Sequence, residues 1–131
     1  MTHLEEVQYL RSNPDGVHYN CAQSLLIPFA QEVGLTKEQA HALGSCFGSG
    51  MLHGSACGAL SAALMLAGMK GYDTKTATTL IQNFRNAHRA TDCTTLLTFA
   101  KEENVPKKQH CDDLVLEMAE QLETLFTQNE T

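Results

Sequence analysis

Residues 47–71 read FGSGMLHGSACGALSAALMLAGMKG. The segment opens on a glycine-rich loop, Gly48-Ser49-Gly50 to Gly54, and then runs from Ala56 to Met69 without a charged residue. A membrane span needs about 18 or more consecutive apolar residues. This run is shorter and ends at Lys70, so it reads as a buried central helix, about 55–70. Cys57 sits where loop becomes helix.

The segments on either side read as amphipathic helices able to pack around it. Upstream, residues 3–11 form a short helix that Ser12-Asn13-Pro14-Asp15-Gly16 ends with strong turn chemistry. From Asn20, Cys21, Leu25, Phe29 and Val33 recur at helical spacing up to Gly34, and Pro28 is expected to kink this helix or loosen its first turn. Thr36 and Gln39 form a capping-box start for a helix over about 36–46, whose apolar residues are Ala40, Leu43 and Phe47. Downstream, helices are expected over Thr74 to about Ala87, Thr91 to about Ala100 and Gln109 to Thr127. Cys111, Leu114, Met118, Leu122 and Leu125 line the inner face of the last. Nothing alternates at period two and no internal repeat is present, so the fold class is all-α, a compact multi-helix bundle. At 131 residues, 1–131 is expected to be one domain.

A net charge of −6 gives nucleic-acid binding no electrostatic support. The start, MTHLEEVQYLRSNPDG, lacks a basic-then-apolar signal pattern, so a cytoplasmic location without membrane insertion is the expectation. There are five cysteines, none in a CxxC pair. Zinc-ribbon and thioredoxin spacings are absent, and a secreted disulfide scaffold fits neither the start nor the ample core.

Four of the five cysteines, Cys21, Cys57, Cys93 and Cys111, fall in the expected first turn of a helix. Helix N-termini present unpaired N–H groups and partial positive charge, which favour thiolate over thiol. Four bare thiolates in one place would repel one another. If the four meet, disulfides or a metal must relieve that repulsion, and the spacing leaves both open, beside a third reading of inert buried cysteines in a helical interaction module. Cys57, between a loop of small residues and the most apolar helix, is expected to be the most reactive thiol, provided that the loop leaves it partly accessible or His53 reaches it. Cys46, near a helix C-terminus where the dipole opposes a thiolate, is expected to be buried and inert.

The glycines 48, 50 and 54 do not make a dinucleotide fingerprint: the spacing has one residue too many and no strand precedes it. Their use is close backbone approach, to another helix or to a sulfur-ligated centre. Gly50, Gly54 and Gly58 are therefore the candidate cofactor-contacting positions. His53 and His110 stand near cysteines and offer a ligand or a base, against a plainer reading as loop or solvent histidines; His18 and His88 are weaker candidates. Asp112 and Asp113 read as acidic residues favoured at the positive start of the last helix.

YNCAQSLL at 19–26, FGSGMLHGSACGALSAALMLAG at 47–68, DCTTLL at 92–97 and HCDDLV at 110–115 resemble the bacterial redox-active family C_GCAxxG_C_C. The resemblance covers most of residues 18–125. Cys21, Cys57, Cys93 and Cys111 fall on the family cysteines, Gly58 and Ala59 on the motif's GA, and Ala62 replaces its last glycine. Members look like small helical redox proteins, some with selenocysteine for a cysteine, and a related domain occurs beside haem modules where an iron–sulfur centre has been suggested. The resemblance implies redox chemistry at the four cysteines: thiol–disulfide exchange, as in a thiol–disulfide oxidoreductase, or, alternatively, an iron–sulfur cluster or other metal held by the same four. It names no redox partner, and a homodimer stays open.

Overall fold

The computed structural model describes residues 1–128. Seven α-helices follow one another: α1 (His3–Arg11), α2 (Cys21–Phe29), α3 (Lys37–Gly44), α4 (Gly58–Met69), α5 (Thr74–His88), α6 (Cys93–Glu102) and α7 (Lys107–Gln128). Short single turns occupy Pro14–Gly16, Gln31–Val33 and Gly50–Gly54. The all-α expectation holds.

Polar residues set the helix starts. Thr2 with Glu5, Asn20 with Gln23 and Thr36 with Gln39 form reciprocal capping boxes on α1, α2 and α3. Asp73 and Asp92 accept from Thr76 N–H and Thr95 N–H at the starts of α5 and α6. Each cap satisfies backbone donors that the helix cannot, contributing about 1 kcal/mol.

The centre is a pair of helices. α4 buries Ala59, Leu60, Ala62, Ala63, Leu66 and Ala67, and its small side chains let α2 lie close. α2 is buried at every residue from Ala22 to Phe29 and also packs on α1, α3 and α7. Burying a Leu side chain contributes about 1.5–3 kcal/mol, so Leu25, Leu26, Leu60 and Leu66 give this seam much of its stability.

Pro28 ends α2 rather than kinking it. Proline has no N–H to donate to the previous turn. The chain tightens, Ala30 N–H bonding Ile27 O at 3.2 Å, and α2 stops at Phe29 instead of reaching Val33. α7 starts at Lys107, immediately after Pro106, rather than at Gln109. Leu114, Met118 and Leu122 are buried on its inner face as expected, joined by Phe126, which the spacing did not single out. Leu43, one of the apolar residues of α3, is exposed.

A polar clamp fastens α1 to the far part of α7. His3 Nδ1 contacts Glu123 Oε1, and His3 Nε2 lies 3.4 Å from Glu32 Oε2. His3 also stacks on Phe29 with ring centroids 4.2 Å apart. This clamp is about three turns along α7 from Cys111.

Candidate functional site

The site begins with a two-residue backbone bridge. Ala56 and Asp92 pair antiparallel, Cys57 N–H donating to Thr91 O at 2.9 Å and Cys93 N–H to Ser55 O at 2.7 Å. The bridge sets the starts of α4 and α6 side by side, with Cys57 as N-cap of one and Cys93 as first residue of the other. Cys21 is the first residue of α2. Its preceding residue, Asn20, donates from its side chain to Gly44 O at 3.0 Å, which fixes the start of α2 against the end of α3.

Glycines allow these elements to touch. A Cβ on Gly58 would stand 2.7 Å from Phe47 O and 3.3 Å from the Cys21 Cβ. A Cβ on Gly50 would stand 2.4 Å from Ser55 O and 2.6 Å from the Cys93 Cβ, and one on Gly54 would overlap Thr94 Oγ1. At all three positions the missing side chain lets the loop and helix backbones approach closely. The loop reaches Cys93 by a left-handed turn, with φ of 52° at Ser49, 63° at Gly50, 58° at Met51 and 66° at Leu52.

Cys21, Cys57, Cys93 and Cys111 line one small cavity with Gly50, Gly58, Ala59, Leu96, Leu97, His110 and Leu114. Its volume is about 20 Å³. A larger groove, about 530 Å³, opens between α5 and α7, but no cysteine or histidine lines it. The chemistry is concentrated at the small cavity.

The four sulfurs are not equivalent. Interaction with the Cys111 side chain holds Cys21 down at about 6; burial opposes it, and the Arg11 and Lys107 charges and the Cys21 backbone N–H assist it. Cys111 is pushed up by the same interaction, since it is the partner that keeps its proton. Burial pushes Cys57 up to about 11, and Cys93 upward as well. Cys57 is only 6% exposed, so the access that its expected reactivity required is small, and burial there works against the helix terminus. The low-pKa thiol is Cys21, which is half-buried.

Cys111 corrects an expectation. Because α7 starts at Lys107, Cys111 is its fifth residue and not in the first turn. It reaches the cavity by facing α2 rather than by capping. Cys46 corrects another: it is exposed, beside the Ser45 hydroxyl and outside the cavity. His110 lines the cavity, where burial first, then His88, lowers its pKa; His53 is exposed on the glycine loop.

The sequence did not single out Arg11, and it read Asp112 only as a helix-start acid. Arg11 Nε–H donates to Asp112 Oδ1 at 2.7 Å and Nη1–H to Tyr19 O at 2.9 Å. No local signal marks this pair, since 101 positions separate its members.

Four cysteines are the usual donor set of an iron–sulfur cluster. The space does not match the donors. A volume of about 20 Å³ takes about one water-sized atom, far less than a core of several iron and sulfide atoms. A single tetrahedral zinc ion would need its sulfurs about 3.8 Å apart, given bonds of about 2.3 Å. Among the described residues, the only three His, Cys, Asp or Glu ligand atoms mutually within 4.8 Å are those of His3, Glu32 and Glu123. Neither a cluster nor a single ion fits the cavity in this arrangement.

No helix among the described residues is long and apolar enough to cross a membrane. No curated protein and no solved structure matches the chain. Over residues 19–125, which carry all four cavity cysteines, the chain matches the model of the family described as putative redox-active protein (C_GCAxxG_C_C), and it belongs to that family.

Proposed function

We propose that this chain is a thiol–disulfide redox protein of a reducing compartment such as the cytoplasm, with Cys21 as attacking thiolate and Cys111 as resolving thiol. The observation that carries this reading is that Cys21 and Cys111 line one cavity, where the interaction of their side chains lowers the pKa of Cys21 and raises that of Cys111. Both residues are half-buried, so a partner sulfur can reach them, whereas Cys57 is shut in.

The exchange balances as follows. The Cys21 thiolate attacks one sulfur of a partner disulfide, a mixed disulfide forms, and the other partner sulfur leaves as thiolate. Cys111 then gives up its proton and attacks the Cys21 sulfur, releasing the second partner sulfur. The partner gains two electrons, the Cys21–Cys111 disulfide forms, and the same steps run in reverse. Cys57 and Cys93, both kept as thiols by burial, form a second pair able to exchange with the first. Burial holds His110 neutral beside them, and the proton that Cys111 releases passes to solvent.

The test is a thiol count with disulfide mapping. Oxidation by a mild disulfide reagent should remove two thiols per chain, and peptide mapping should join Cys21 to Cys111. Cys21→Ser should abolish that bond. A chain that keeps all five thiols under oxidant, or oxidises equally well without Cys21, overturns the reading.

A further inference from the structure

Arg11 belongs to α1, outside the residues that match the family, yet its charge is felt by both sulfurs of the proposed pair. Its side chain is 11% exposed, low for an arginine. The guanidinium binds Tyr19 O, two residues before Cys21, and the carboxylate of Asp112, the residue after Cys111. It therefore fastens the chain entering α2 to α7 at the level of the thiols.

The charges around it do not cancel. Arg11 occupies Asp112 Oδ1, and Lys108 Nζ occupies Oδ2 at 2.9 Å while also donating to Arg11 O at 2.6 Å. Two cations share one carboxylate, and Lys107 adds a further positive charge felt by Cys21 and Cys93. The acidic groups near the cavity are Asp92, beside Cys93, and exposed Asp113 near His110. The reduced pair carries a thiolate and the disulfide carries no charge. Excess positive charge thus stabilises the reduced form, and a dithiol whose reduced form is stabilised is a stronger oxidant.

We propose that Arg11 is a positioning residue that holds Cys21 and Cys111 together and biases the pair toward its reduced form, so that the pair accepts electrons from dithiol partners. This rests on the disulfide chemistry proposed above. In that direction a partner thiolate attacks the Cys21 sulfur of the Cys21–Cys111 disulfide, and Cys111 leaves and takes a proton from solvent. The second partner thiolate then attacks the mixed disulfide, and Cys21 leaves as the stabilised thiolate. The partner ends as a disulfide, two electrons poorer.

The experiment equilibrates the full chain, Arg11→Gln, Arg11→Lys and Asp112→Asn in a series of reduced and oxidised glutathione mixtures. The Cys21–Cys111 disulfide is quantified after acid quenching, and circular dichroism melting is recorded in parallel. Arg11→Gln should raise the equilibrium constant for forming the disulfide by about tenfold, a shift of about 30 mV toward a more reducing couple. Arg11→Lys, which keeps the charge without the planar fork, should recover most of that shift. Asp112→Asn removes the shared carboxylate and should shift the couple in the opposite direction, which keeps the inference testable should Arg11→Gln fail to fold. An Arg11→Gln couple that is unchanged or more oxidising overturns the inference, as does failure of Arg11→Lys to recover the shift; a lowered melting temperature with an unmoved couple marks a purely structural residue and also overturns it. Absence of any Cys21–Cys111 disulfide in the unmodified chain would instead refute the underlying disulfide reading.

Discussion

Cys21, the first residue of α2, and Cys111, the fifth residue of α7, interact in one small cavity although 90 positions of sequence separate them. The order of thiol reactivity follows from this interaction. In the reduced chain, alkylation of Cys21 should rise with pH around a midpoint near 6, while that of Cys57 should rise only toward 11. At pH 7 Cys21 should therefore react first, as peptide mass spectrometry after brief iodoacetamide treatment can read. An interaction of hydrogen-bond strength with a charged group contributes about 1.5–3 kcal/mol, so Cys111→Ala should move the Cys21 midpoint up by about one to two units. The same shift fixes a sign for stability. A depressed folded-state pKa stabilises the chain above the unfolded value, near 9, and that contribution is lost as pH falls to about 6. Cys111, pushed the other way, opposes stability above about pH 9. Equal alkylation of Cys21 and Cys57 at pH 7 would contradict this assignment.

Two glycines in α4 should respond oppositely to alanine. A Cβ at Gly58 would stand 2.7 Å from the Phe47 carbonyl and 3.3 Å from the Cys21 Cβ, so the loop and α2 must move away. Gly58→Ala should cost about 1–3 kcal/mol in a urea unfolding series, and it should loosen the cysteine cavity. At Gly68, also helical, an added Cβ meets nothing within 4 Å. Gly68→Ala should stabilise by about 0.5–1 kcal/mol through helix propensity alone. Similar effects at both positions would mean that close approach at Gly58 is not what requires glycine there.

Cys46 is exposed at the end of α3, so replacing it removes neither packing nor a cavity-lining group. Cys46→Ser should change unfolding free energy by no more than about 0.5 kcal/mol. The oxidised-thiol map should keep its Cys21–Cys111 bond, with one free thiol fewer. A loss of the mapped disulfide in this variant would bring Cys46 into the redox site.

Much of the fold was legible because its signals are local. Thr2, Asn20, Thr36, Asp73 and Asp92 each cap within three residues, and α4 announces itself by an uncharged run. The gathering of cysteines was legible only as a shared preference for helix starts, which holds for Cys21, Cys57 and Cys93 and fails for Cys111. What sequence could not rank is which sulfur carries the charge. That depends on depth, which shuts in Cys57, and on Arg11 and Cys111, which arrive at Cys21 from α1 and α7. Cys46 was misread because a helix-end dipole argues against a thiolate but says nothing about burial.

The last prediction separates donor chemistry from available space. Four cysteines around one cavity invite a cluster, and anaerobic purification gives one every chance to persist. The cavity has room for about one water-sized atom, about 20 Å³, and its walls are set by Gly50 against Cys93 and Gly58 against Cys21, contacts too tight for even a methyl group without shifts. Opening it for an iron–sulfur core would separate α2 from α4, the most buried seam of the protein. Protein purified anaerobically should therefore be colourless, without absorbance between about 320 and 450 nm and without stoichiometric iron. Reduced protein should show five reactive thiols once unfolded in denaturant, and a chelator should leave its melting temperature unchanged. A brown protein that bleaches, loses iron and melts lower on chelation would show that α2 and α4 part to admit a cluster, and the four cysteines would then be its ligands rather than exchanging thiols.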